Sequence, residues 1–138
     1  MKNKRIKIFG VSASVIAIFS FLFCATTVFA EATMFEFKLT TYGGSARTSS
    51  LNKNATGSAV LYVETVDTTK TLDKPLVARV RKSNNEMCSE SLSFTGVVAG
   101  GKLAYWKGYG QTGQSYYLKM QTDTNGKVAA TVVGVFQP

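Results

Sequence analysis

Residues 105–117 read YWKGYGQTGQSYY, with five aromatics, one lysine and three glycines in thirteen positions. If GQTGQ closes two strands, the segment is a β-hairpin, and that reading sets how the C-terminal third folds. Successive strand residues point to opposite faces, so the aromatics cannot all share one surface. In SYYLKMQ, Tyr116, Leu118 and Met120 form an apolar set expected in the core, whereas Tyr117, Lys119 and Gln121 form the outer set. In LAYWKGY, Trp106 alternates with Ala104 and Gly108, whose small size leaves room for an indole, so Trp106 is expected inside. Tyr105, Lys107 and Tyr109 then face outward. With Tyr109 opposite Ser115, Lys107 falls across from Tyr117 and Tyr105 across from Lys119. Such cross-strand pairs stabilise a sheet by about 0.2–1 kcal/mol, and each tyrosine could also make a cation–π contact.

Working outward, β-type runs separated by Gly, Asn, Asp and Ser clusters fill the chain beyond residue 31. Seven strands are expected, at 34–41, 58–66, 75–82, 91–99, 102–109, 115–122 and 127–137. That spacing predicts an all-β fold, an antiparallel β-sandwich or small barrel, with the sandwich favoured. FEFKLT shows the alternation of a half-buried strand, with Phe35, Phe37 and Leu39 inward and Glu36, Lys38 and Thr40 outward. AGG at 99–101 and DTNG at 123–126 read as tight turns, which makes the last three strands a meander. GGSARTSSLNKNATG, residues 43–57, and SNNEMCSE, residues 83–90, read as loops, the first of them mobile. The last run is apolar on both faces, Val133 and Val135 on one and Val128, Val132 and Phe136 on the other, as a central or covered strand would be. The outer face carrying Tyr105, Tyr109, Tyr117 and Phe136 is expected to lie under the long loop; an exposed patch meeting a partner is the alternative.

At the N-terminus, MKNKRIK places four cations before the apolar run Ile8 to Phe23 and the short-side-chain region ending VFA at Ala30. This is the order of a helical secretory signal peptide, residues 1–30, cleaved after Ala30. An uncleaved membrane anchor is the rival reading, and Phe23 opposes lipid attachment at Cys24. Residues 31–138 then form a single domain with twelve basic and eight acidic residues, a net charge of +4 and no stable membrane span. Cys88 would be its only thiol, a small side chain at a loop margin or a link between chains.

Much chemistry lacks its residues. The chain has no histidine, the commonest general base and metal ligand, and no phosphate-binding glycine loop. No cofactor, metal or catalytic residue is therefore expected, and nucleic acid is a poor partner for an exported chain of this modest charge. Two carboxylates can hydrolyse a glycoside without histidine, which leaves a small hydrolase using Glu64 or Glu90 as a minor alternative. ARVRKS puts Arg79 and Arg81 on one strand face, either to grip an anionic polymer or lipid headgroup or as ordinary solvent-facing charge that discourages edge pairing.

The segments ARTSS, ARVRKSN and GQSYYLKMQTDTNGKVAATVVGVFQP resemble a family of small secreted β-rich proteins of Gram-positive bacteria whose role is unassigned. That family often ends in Gly-x-Trp where this chain has Gly134, Val135 and Phe136. In size, leader and β content the chain is also similar to lactococcin-type bacteriocins, secreted β-sandwich proteins that attack envelope synthesis. Together these expectations describe a secreted, non-enzymatic protein binding at or near the cell envelope, with a bacteriocin-like antimicrobial as the alternative. The expected binding surface is Tyr105, Lys107, Tyr109, Tyr117, Lys119, Arg79 and Arg81.

Overall fold

A computed structural model describes residues 31–138. The expected signal peptide, residues 1–30, lies outside the described residues. Within them the fold is all-β, with no helix and therefore none long and apolar enough to cross a membrane. Nine strands are present among the described residues: β1 (Thr33–Leu39), β2 (Ser45–Arg47), β3 (Leu51–Asn52), β4 (Ala59–Thr68), β5 (Leu76–Lys82), β6 (Met87–Phe94), β7 (Val98–Leu103), β8 (Ser115–Gln121) and β9 (Ala130–Gln137).

They make two antiparallel sheets. The first has the order β1-β9-β4-β7, and the second β2-β8-β5-β6, with β3 also pairing to β8. The alternation read in β1 holds, since Phe35, Phe37 and Leu39 are buried while Met34, Glu36 and Lys38 are exposed. In β8 the core set is Tyr116, Leu118 and Met120, again as the alternation predicts. The inner faces of both sheets meet in one core, with Leu61, Val63, Val132 and Phe136 from the first and Leu76, Ala78, Val80 and Leu118 from the second. Burying each such leucine or valine contributes about 1.5–3 kcal/mol.

The C-terminal third differs from the expected meander. β7 pairs with β4, β8 with β2, β3 and β5, and β9 with β1 and β4, so consecutive strands alternate between sheets. Residues 105–117 are therefore not a hairpin: 104–114 form a crossover segment, and 115–117 open β8. The chain leaves β7 at Leu103, and residues 104–106 run along β6: Glu90 N–H donates to Ala104 O at 2.9 Å, and Trp106 N–H to Cys88 O at 2.9 Å. This covers an edge of the second sheet that would otherwise present unpaired backbone groups. AGG lies inside β7 and is not a turn; the bend precedes it, at Thr95 and Gly96. DTNG does turn, with Asp123 Oδ1 accepting from Asn125 N–H at 2.7 Å and Asp123 O from Gly126 N–H at 2.9 Å, but it carries the chain between sheets.

Two expected loops also carry structure. Residues 43–57 contain β2 and β3, and the 83–90 segment narrows to a turn at 83–86 before β6 begins at Met87. Cys88 is thus fully buried in a strand, and burial pushes its thiol up from the ordinary value. Phe136 belongs to the core and not to an outer face.

Candidate functional site: the outer face of the second sheet

Register across the second sheet assembles the site. Arg47 on β2 pairs with Lys119 on β8, Lys119 with Arg79 on β5, and Arg79 with Ser91 on β6. Directly paired residues share a face, and the neighbours Leu118, Met120, Ala78 and Val80 are all in the core, so this row points outward. One row on stand Tyr117, Arg81 and Met87; on the other side stand Ser45, Gln121, Val77 and Ser93. The three rows thus hold four cations and no carboxylate. The first sheet's outer face differs, interleaving Glu36, Lys38 and Asp67 with Met34, Tyr62, Val133 and Val135.

Aromatic rings hold two of these cations. The Arg47 guanidinium lies 5.0 Å from the Tyr117 ring centroid and Arg79 lies 5.8 Å from Trp106, while Lys82, which pairs with the core residue Tyr116 and so belongs to the opposite face, has its Nζ 5.6 Å from Tyr109. All fall within cation–π range. The tyrosine–cation pairing read from the sequence therefore exists, with different partners: Tyr117 meets Arg47 and Arg81, not Lys107, and Lys119 meets Arg47 and Arg79, not Tyr105. Tyr117 faces outward but is only 1 % exposed, and its hydroxyl donates to Asn85 Oδ1 at 2.8 Å. It serves as the floor of the site rather than a free contact.

The turn between β5 and β6 ties the site's end. Arg81 donates to Asn85 O at 2.8 Å, and Tyr109 donates to Glu86 Oε1 at 2.5 Å. That bond pulls Glu86 below the usual carboxylate value and pushes Tyr109 above the usual phenol value, since it favours the carboxylate and the neutral phenol together. Asn85 takes φ 68°, a left-handed conformation that asparagine tolerates better than most residues.

Trp106, expected in the core, is half-buried, and its indole N–H donates to Glu90 Oε1 at 2.8 Å. The physical reason is the crossover: past Leu103 the chain pairs with β6 of the second sheet, Tyr105 bridging Ser89, and the side turned toward the core there is that of Tyr105, not of Ala104 and Trp106. Tyr105, expected outside, instead packs against the core, 5.0 Å from Tyr116 with Lys53 Nζ 4.8 Å over its ring. Its hydroxyl is buried without a hydrogen-bond partner, and burial pushes its titration well above the usual tyrosine value. Lys107 is exposed in the turn at 107–108, away from the row.

Of the seven expected residues, Arg79, Arg81, Tyr117 and Lys119 share one face, Tyr105 and Tyr109 pack against the core, with Tyr109 reaching Glu86 in the turn at the sheet's end, and Lys107 does not join them. Arg47 and Trp106 were missed. The faint signal for Arg47 was Ser45-Ala46-Arg47, a small apolar residue between polar ones inside the long loop.

The carboxylates that form hydrogen bonds accept from other groups than these cations: Glu31 from Asn52 N–H, Asp73 from Lys127 N–H, Asp123 from Asn125 N–H, Glu86 from Tyr109 and Asn84, and Glu90 from Trp106. Glu64 stands on β4 of the first sheet and Glu90 on β6 of the second. Among the described residues no group of three or more His, Cys, Asp or Glu comes together to hold a metal ion. Comparison with protein-family models, with curated proteins and with solved structures returns no match.

Proposed function

We propose that this chain is a secreted, non-enzymatic β-sandwich protein that binds anionic groups at or near the cell envelope through the outer face of its second sheet. The observation that carries the reading is the registered row Arg47, Lys119, Arg79. Like charges directly opposite one another across strands weaken a sheet. An anion laid over the row would reverse that repulsion, so the arrangement suits binding better than it suits folding. The aromatic rings beside Arg47 and Arg79 hold the two guanidinium groups in place; Arg79 gives one N–H to Met87 Sδ and buries its Nε, so an oxygen ligand would meet its remaining terminal N–H groups and those of Arg47.

Export fits the leader-like order of residues 1–30 and the resemblance to small exported proteins of Gram-positive bacteria. The acids of the site region engaged with Trp106, Tyr109 and Asn84 favour a binding role over carboxylate catalysis. Protein expressed from the full chain in a Gram-positive host should appear in the medium with Glu31 as its first residue, and N-terminal sequencing checks this; a retained leader would contradict the export part of the reading. The recovered protein should pellet with purified cell walls at low ionic strength. It should remain in solution near 1 M salt, where screening acts over about 3 Å. Absence of pelleting, or pelleting indifferent to salt, rejects the reading.

A further inference from the structure

We infer that the ligand is a linear phosphate polyanion lying across the strands of the second sheet, with several phosphates held at once along Arg47, Lys119, Arg79 and Ser91. This rests on the envelope-binding reading and names the ligand class. Adjacent strands are about 4.8 Å apart, so the three cations stand at successive steps of a straight line about 10 Å long. Long side chains could still converge on one small anion, but here they are held apart. Arg47 is stacked on Tyr117 of β8, whereas Arg79 is drawn the other way, toward Trp106 and to Met87 Sδ on β6. Lys119 stands between them. An extended charge series matches this spread, and a single phosphate meets only part of it.

The flanking rows set the track's borders. Ser45, Gln121, Val77 and Ser93 on one side carry no charge, and Tyr117, Arg81 and Met87 on the other carry one further cation. A membrane surface is a poorer fit, because insertion needs exposed apolar side chains around the cations. Of the exposed large hydrophobic residues Met34, Tyr42, Met87 and Val97, Met87 alone belongs to these rows. Simultaneous contacts along one chain strengthen binding through effective concentration, by a factor of about 100 or more.

Trp106 is the protein's single tryptophan and sits beside Arg79, so its fluorescence reports directly on the row. The purified protein is titrated with long-chain polyphosphate, with orthophosphate at matched phosphate concentration, and with vesicles of phosphatidylglycerol and phosphatidylcholine. Polyphosphate should change Trp106 emission and bind about 100-fold more tightly per phosphate than orthophosphate. Arg47→Gln and Lys119→Gln, each with an unchanged circular dichroism spectrum, should weaken it at least about tenfold together, while Lys38→Gln on the other sheet should not. Because Arg47 is exposed on the short β2, Arg47→Gln alone gives a usable result if Lys119→Gln fails to fold. Equal affinity per phosphate for orthophosphate overturns the linear track, as does binding to vesicles without binding to polyphosphate. Protein that pellets with walls but ignores polyphosphate overturns the track and leaves the envelope reading standing; protein that binds neither overturns both.

Discussion

Tyr105 has a buried hydroxyl that nothing satisfies, and a buried unpaired polar group costs about 1–3 kcal/mol. Tyr105→Phe should therefore raise the denaturant midpoint, by about 1 kcal/mol in stability; a loss of stability would show that the hydroxyl has a partner in solution. The same residue shapes the alkaline limb. The unfolded chain releases the Tyr105 proton near 10.0 while the folded chain holds it to higher pH, so stability is level below pH 10 on this account and falls above it. Lys53, over the Tyr105 ring, acts oppositely: burial lowers its value from 10.5, so a cost present at low pH is relieved as pH climbs toward 10.5. Cys88 and Tyr109, both also held above their ordinary values, add to the alkaline loss, so the test is by difference: in denaturant unfolding from pH 7 to 11, Tyr105→Phe should lose less stability above pH 10 than the parent, and Lys53→Met should lack the gain that the parent draws from Lys53 as pH climbs toward 10.5. Tyr105 also shows where sequence reasoning stopped. The alternation that placed Tyr116 correctly placed Tyr105 and Trp106 wrongly, because β7 ends at Leu103 and the chain next pairs with β6 of the other sheet, where the opposite set of side chains meets the core.

At the scale of elements, β1, β5 and β8 were legible because each runs seven residues with apolar side chains on one face. What joins strands was not. A turn such as DTNG looks the same whether it returns the chain alongside its own strand or carries it to the other sheet, and the choice lies in distant partners. β2 is three residues long, too short for alternation to stand out in a Gly- and Ser-rich segment, so Arg47 remained hidden. The meeting of β4 and β9 gives a sharper case. β4 bulges between Val63 and Thr65, and a side chain at Gly134 would collide with Tyr62 O and come within 2.9 Å of the Phe35 ring. Gly134→Ala should destabilise the protein by about 1–3 kcal/mol, as overpacking does. A midpoint unchanged in chemical denaturation would mean that the bulge relaxes freely.

For the whole molecule, the two outer faces divide the charge. The second sheet gathers Arg47, Arg79, Arg81 and Lys119 without an acid in their rows, while the first mixes both signs. Composition revealed only a net +4 over residues 31–138, because clustering is a property of topology and register. Replacing the row should leave the fold intact or slightly firmer, since three like charges no longer oppose one another. The most direct measurement is therefore co-sedimentation with purified cell walls at low salt, comparing the protein with its Arg47→Gln/Lys119→Gln/Arg79→Gln variant after equal thermal stability has been verified. The expected result is pelleting of the protein and retention of the variant in solution. Equal pelleting of the two would contradict the assignment of this face as the binding surface.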